Sequence, residues 1–163
     1  MSALYTGAMV YCEFDPQKGP TVLAFYGDLR LTEEQLRKIA FHTLPSGEEL
    51  ESTFYVFTLG TNLACTSVYR RLLRSSTLTG ANMASISWVT ESTTNPLRFK
   101  PGLENILIAL LRVHCTNTVL KQLYTLLSTN GVIDDKIVPK AGPPIKIKAR
   151  FITEKEIPEY FSE

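Results

Sequence analysis

Three arginines fall within the run Tyr69-Arg-Arg-Leu-Leu-Arg74. A guanidinium stays charged and presents its donors as a planar fork, so this run can meet phosphate or an acidic protein surface. It sits where a strand-like segment gives way to a stretch rich in Ser, Thr and Gly, which predicts a loop position for Arg74 and strand-end positions for Arg70 and Arg71. A second basic feature is Pro143-Pro-Ile-Lys-Ile-Lys-Ala-Arg-Phe-Ile152, whose alternation puts Lys146, Lys148 and Arg150 on one face of an extended chain. That face suits anionic lipid or protein. Both features have a second use, since charges on an edge strand block strand-to-strand aggregation.

Other chemistry is thin. His114 and Cys115 are adjacent, and neighbouring helical side chains point about 100° apart, which is poor geometry for a nucleophile and its base. His114 reads instead as a helix-end histidine interacting with the last carbonyls. His42 and His114 lack zinc-site spacing. Cys12, Cys65 and Cys115 lie far apart in apolar surroundings, without an Asn-X-Ser/Thr sequon, and read as small buried hydrophobes of a reducing compartment. Glu33, Glu34, Glu48, Glu49 and Glu51 look like helix-start and loop charges, and no carboxylate falls in an expected apolar cleft. Neither a Walker A sequence nor Gly-x-Gly-x-x-Gly occurs, so no cofactor or metal is expected.

The elements that must position these residues belong to one domain. The 163 residues are 44% hydrophobic and 20% charged, enough apolar material for a core and too little charge for disorder. A net charge of +1 disfavours bulk nucleic-acid binding. The longest apolar run, Ile106-Leu-Ile-Ala-Leu-Leu111, is far short of the ~20 residues of a membrane span, and the amino terminus has no basic n-region. A soluble protein without a signal or transit peptide is expected.

Residues 4–14 are almost continuously apolar, which predicts a strand covered on both faces and central in its sheet. Asp15-Pro-Gln-Lys-Gly-Pro20 is a turn, and a second strand over Thr21–Tyr26 completes a hairpin. Thr32 and Gln35 form a capping box with Leu31 and Leu36 as a staple, starting a helix that runs to about His42 on a core face of Leu36, Ile39 and Ala40. Strands follow over Thr53–Leu59, Leu63–Leu73 and Ser85–Val89, with Cys65, Ser67 and Tyr69 opposite Thr66, Val68 and Arg70. Residues 74–85 read as a loop. Gly102–His114 is apolar nearly all round, as a deeply buried helix would be, and Asn117 caps a last amphipathic helix ended by Asn130-Gly131. The order is ββαβββαα over residues 1–131, followed by an extension over 132–163 with an edge strand at 145–152.

Several phrases in this order resemble the longin-type upstream (uDENN) module of the DENN superfamily, most nearly its late-secretory-pathway branch. They are Phe14-Asp-Pro-Gln-Lys-Gly-Pro20-Thr-Val between the first two strands, Phe41-His-Thr-Leu-Pro-Ser-Gly47 after the first helix, Thr66-Ser-Val-Tyr-Arg-Arg-Leu72 and Leu120-Lys-Gln-Leu-Tyr124. The resemblance reaches to about residue 131. It implies an α+β sandwich: a five-stranded antiparallel sheet with one helix on one face and two on the other.

It further implies a non-catalytic, cytoplasmic module peripheral to secretory or endosomal membranes. Such a module helps bind or activate a Rab-family small GTPase within a larger guanine-nucleotide exchange assembly. Its partners would be the GTPase and a second longin or DENN lobe, with peripheral contact to anionic membrane and no nucleic acid. The chain ends at Glu163, where the family's central lobe is expected to begin, so exchange requires more than this chain. Folliculin-like and nitrogen-permease-regulator-like longin proteins of the same superfamily supply an arginine finger from a comparable loop. By that likeness Arg74 is the candidate finger of a GTPase-activating subunit. A longin adaptor that never touches a GTPase is the third alternative.

Overall fold

The structure, a computed structural model, describes residues 7–44, 52–59, 63–71, 83–91, 99–110, 117–130, 132–133, 136–138 and 141–146. Its main sheet is antiparallel and built from β1 (Gly7–Asp15), β2 (Gly19–Gly27), β3 (Ser52–Leu59), β4 (Leu63–Arg71) and β5 (Met83–Glu91) in the spatial order β2-β1-β5-β4-β3. Helix α1 (Glu33–Thr43) packs on one face, and α2 (Lys100–Leu110) and α3 (Asn117–Asn130) pack on the other. The fold is an α+β sandwich in ββαβββαα order, and its strand order is consistent with a longin-like arrangement.

Period-2 alternation sorts the sheet's side chains into two cores. Met9, Tyr11, Val68, Ala84, Ile86 and Trp88 join Leu103, Ile106, Leu107, Leu120, Leu123 and Leu127 under α2 and α3. Ala8, Val10, Cys12, Cys65, Tyr69 and Val89 join Leu36, Ile39 and Ala40 under α1. Burial of successive residues is why β1 reads as a continuous apolar run. It lies inside the sheet, while β5 holds the middle place. β5 is longer than the expected Ser85–Val89, because partners on both sides extend its ladder: Ala84 pairs with Glu13 of β1 and with Arg70 of β4, and Met83 with Arg71.

Local signals act as the residue types require. The Asp15 carboxylate accepts backbone N–H bonds from Gln17 (2.8 Å) and Lys18 (3.0 Å), and Gly19 takes a φ of 82° that a side chain would strain. Thr32 and Gln35 complete the capping box of α1, with Thr32 N–H donating to Gln35 Oε1 at 2.9 Å and Gln35 N–H to Thr32 Oγ1 at 3.1 Å. Asn117 acts differently from expectation. It is the first residue of α3, and its Oδ1 accepts the Phe25 N–H at 2.9 Å, so it ties the helix to the outer edge of β2 instead of capping its own turn.

Short strands β6 (Val132–Ile133), β7 (Lys136–Ile137) and β8 (Ile145–Lys146) form a separate three-stranded sheet. It is anchored by Ile137, buried in the α2/α3 core, and by Ile145, packed against that core. The tail strand expected over 145–152 is therefore present at Ile145–Lys146, paired with β7 and not with the main sheet. Its remainder lies outside the described residues, as do the loop over 74–82 and the end of the helix expected to reach His114.

Candidate interaction surface

The two arginines of the run that are described, Arg70 and Arg71, do not share a face. Arg70 and Arg71 are consecutive in β4, so the pleat sends them to opposite faces. Arg70 is exposed on the α2/α3 face, in register with Ser52 of β3 and Ala84 of β5. Arg71 is half-buried on the α1 face, where its charge acts against the burial that pushes the Tyr69 hydroxyl up. Arg74 lies outside the described residues. In the tail, Lys146 is exposed and stands opposite Lys136 across β7 and β8, while Lys148 and Arg150 lie outside the described residues.

Two groups of consequence escape a reading of the sequence. Lys100, in the first turn of α2, holds its ammonium 5.8 Å from the centroid of the Phe54 ring and 4.0 Å from the Glu104 carboxylate. It thereby brings a cation to β3, a strand that has none of its own. Only the packing of α2 on the sheet makes that neighbour. Glu13 is 5% exposed and accepts a hydrogen bond from the Tyr11 hydroxyl on the α2/α3 face, so a carboxylate does stand in an apolar setting. The alternation of β1 is the signal that points to it, since Glu13 shares a face with Met9 and Tyr11.

The α1 face contains a polar seam under the helix. Ser67 and Ser87 Oγ are 2.7 Å apart, Thr43 Oγ1 and Ser85 Oγ 2.8 Å, and Cys65 Sγ is 3.3 Å from Ser67 Oγ. Burial pushes the Cys12 thiol up to about 12 and the Cys65 thiol up to about 11, so both are protonated and unreactive at neutral pH. Among the described residues, no three His, Cys, Asp or Glu side chains gather as metal ligands. His42 stacks on Phe57, with centroids 5.2 Å apart. A hollow of about 540 Å³ runs along α3, lined by Thr118, Lys121, Gln122, Thr125, Leu126 and Thr129, and Gln122 Oε1 is buried there without a hydrogen-bond partner.

The chemistry on offer is recognition at the sheet's edges. The β2 edge is interrupted: Tyr11 pairs with Ala24 but Cys12 with Val22, which leaves Leu23 as the extra residue of a bulge, and Asn117 takes the Phe25 amide. The β3 edge runs in unbroken register with β4 from Ser52 to Leu59 and carries no charge, proline or bulge. No helix of the described residues is long and apolar enough to cross a membrane. No protein-family model matches the chain, and no curated protein matches it.

Proposed function

We propose that the chain is a non-catalytic longin/DENN-type interaction module that helps bind or activate a Rab-family small GTPase within a larger guanine-nucleotide exchange assembly. The observation that carries this reading is the sandwich itself. A five-stranded antiparallel sheet, with one helix on one face and two on the other, appears in the chain order that the DENN resemblance implies. The β3 edge, unpaired among the described residues, supports it further, because such a strand with high β-propensity is a surface for pairing with a second longin or DENN lobe. The module works in the cytoplasm, at the periphery of secretory or endosomal membranes.

The test joins the chain to its companion lobe and follows release of a fluorescent GDP analogue from Rab-family GTPases. Accelerated release by the pair, with none by the GTPase alone, is the expected result. A pair that neither binds a GTPase nor alters nucleotide release overturns the proposal. Stimulated GTP hydrolysis that is lost in Arg74→Ala with binding retained replaces it with an activating subunit.

A further inference from the structure

We infer that the outer edge of β3 takes up an extended acidic peptide as a sixth strand, with Arg70 and Lys100 meeting its carboxylates and Val56 meeting its apolar residue. The inference rests on reading the chain as an interaction module, and it does not require the partner to be a GTPase.

Among the described residues nothing bonds the outward backbone groups of β3, so a strand laid against Ser52–Leu59 would exchange water for ladder hydrogen bonds at every second residue, those whose N–H and C=O point away from β4. The side-chain chemistry on the α2/α3 face is graded along that length. At one end stand Arg70, in register with Ser52, and the Lys100 ammonium above Phe54. Further along is Val56, 49% exposed. Glu104 meets Lys100 only at 4.0 Å through an exposed pair, the kind that solvent weakens, so Lys100 remains available to a second carboxylate. Side chains on one face of an added strand recur every second residue. The matching segment therefore carries acids over positions 52–54 and a β-branched or other apolar residue over position 56, all on one face. A second copy of the chain fits less well. Antiparallel pairing of two β3 strands would set each basic end beside the other's positions 57–59 and 63–65, which are Phe, Thr, Leu, Leu, Ala and Cys, with no acid to meet Arg70.

The probe is the peptide fluorescein-Gly-Gly-Thr-Val-Thr-Val-Thr-Glu-Thr-Glu-amide, labelled at its amino terminus, titrated with the full chain and read by anisotropy. Its controls are the same peptide with Lys for both Glu, and one with Pro for the central Thr. The acidic peptide is expected to bind about fivefold more tightly than the Lys peptide at about 50 mM salt, and the preference should close at about 0.5 M salt. The Pro peptide should not bind. Arg70→Glu should reverse the charge preference and Val56→Lys should abolish binding, with the fluorescence of the single tryptophan, Trp88, unchanged as a check on folding. Absence of binding, equal affinity for the two charge types, binding that survives Val56→Lys, or a dimer in sedimentation that the acidic peptide does not dissociate would each overturn the inference. Peptide binding without capture of a GTPase would sink the exchange reading alone, and GTPase capture without peptide binding would sink this site alone.

Discussion

Replacing Tyr124 by Phe removes one oxygen that holds three parts of the fold together. The hydroxyl accepts the Gly7 N–H at 2.9 Å and the Asp28 N–H at 3.4 Å, and donates to Asp28 Oδ2 at 2.8 Å. It thereby pins α3 to the start of β1 and the end of β2. The ring itself, 3% exposed and packed with Tyr26 and Trp88 at centroid distances of 5.7 and 6.0 Å, is retained by the substitution, so no cavity opens. The cost is then polar. The buried Gly7 N–H loses this acceptor, at ~1–3 kcal/mol, whereas Asp28 is exposed and its carboxylate turns to water at little cost. About 2 kcal/mol is expected, a drop of roughly 4–8 °C in Tm for a domain of this size. Urea and thermal unfolding followed by Trp88 fluorescence measure it. Burial is also the main reason the Tyr124 hydroxyl sits above its ordinary value. A group raised on folding stabilises below its unfolded pKa, so this contribution is complete below about pH 10 and is lost as pH rises through the folded value. Tyr124→Phe should lack that alkaline decline. An unfolding free energy within about 0.5 kcal/mol of wild type would refute the clamp.

Further substitutions test other joints of the fold. Gly27→Ala should destabilise by about 3 kcal/mol in the same unfolding assay, because a Cβ there overlaps the Gly7 carbonyl oxygen and the Ala8 Cα, backbone atoms that cannot swing away. Thr32→Ala should cost about 1 kcal/mol through loss of the capping box, with Gln35→Ala costing no more. In a Cys115→Ser background, Cys12 and Cys65 should resist a thiol reagent at pH 8 until the protein unfolds. Because folding raises both thiols, from 9.0 to about 12 and about 11, stability should fall as pH rises above 9. Rapid labelling of the folded protein would contradict their burial.

Where one residue type decides a local conformation, the structure follows the sequence closely. The Asp15–Gly19 turn, the Thr32/Gln35 box and the alternation of Cys65, Ser67 and Tyr69 against Thr66 and Val68 all need only neighbours in the chain. Features made by distant partners were less legible. Asn117 looks like a cap, but the edge amide of Phe25 competes for its oxygen, and that competitor is 92 residues away in sequence. The ends of β5 follow from the lengths of β1 and β4, not from its own composition. The candidate surface shows the same division. Arg70 is visible as a strand-end cation, whereas Lys100 and the open, unbulged β3 edge beside it come together only when the sheet and α2 assemble.

The measurement that bears most directly on the proposed function is a native pull-down of the tagged chain from its own cells, run with GTPases loaded with GDP or with a GTP analogue, with stoichiometric partners identified by mass spectrometry. A Rab-family GTPase captured preferentially in the GDP state, together with a companion longin or DENN chain, is the predicted result. Capture of coat or SNARE proteins without any GTPase would contradict it.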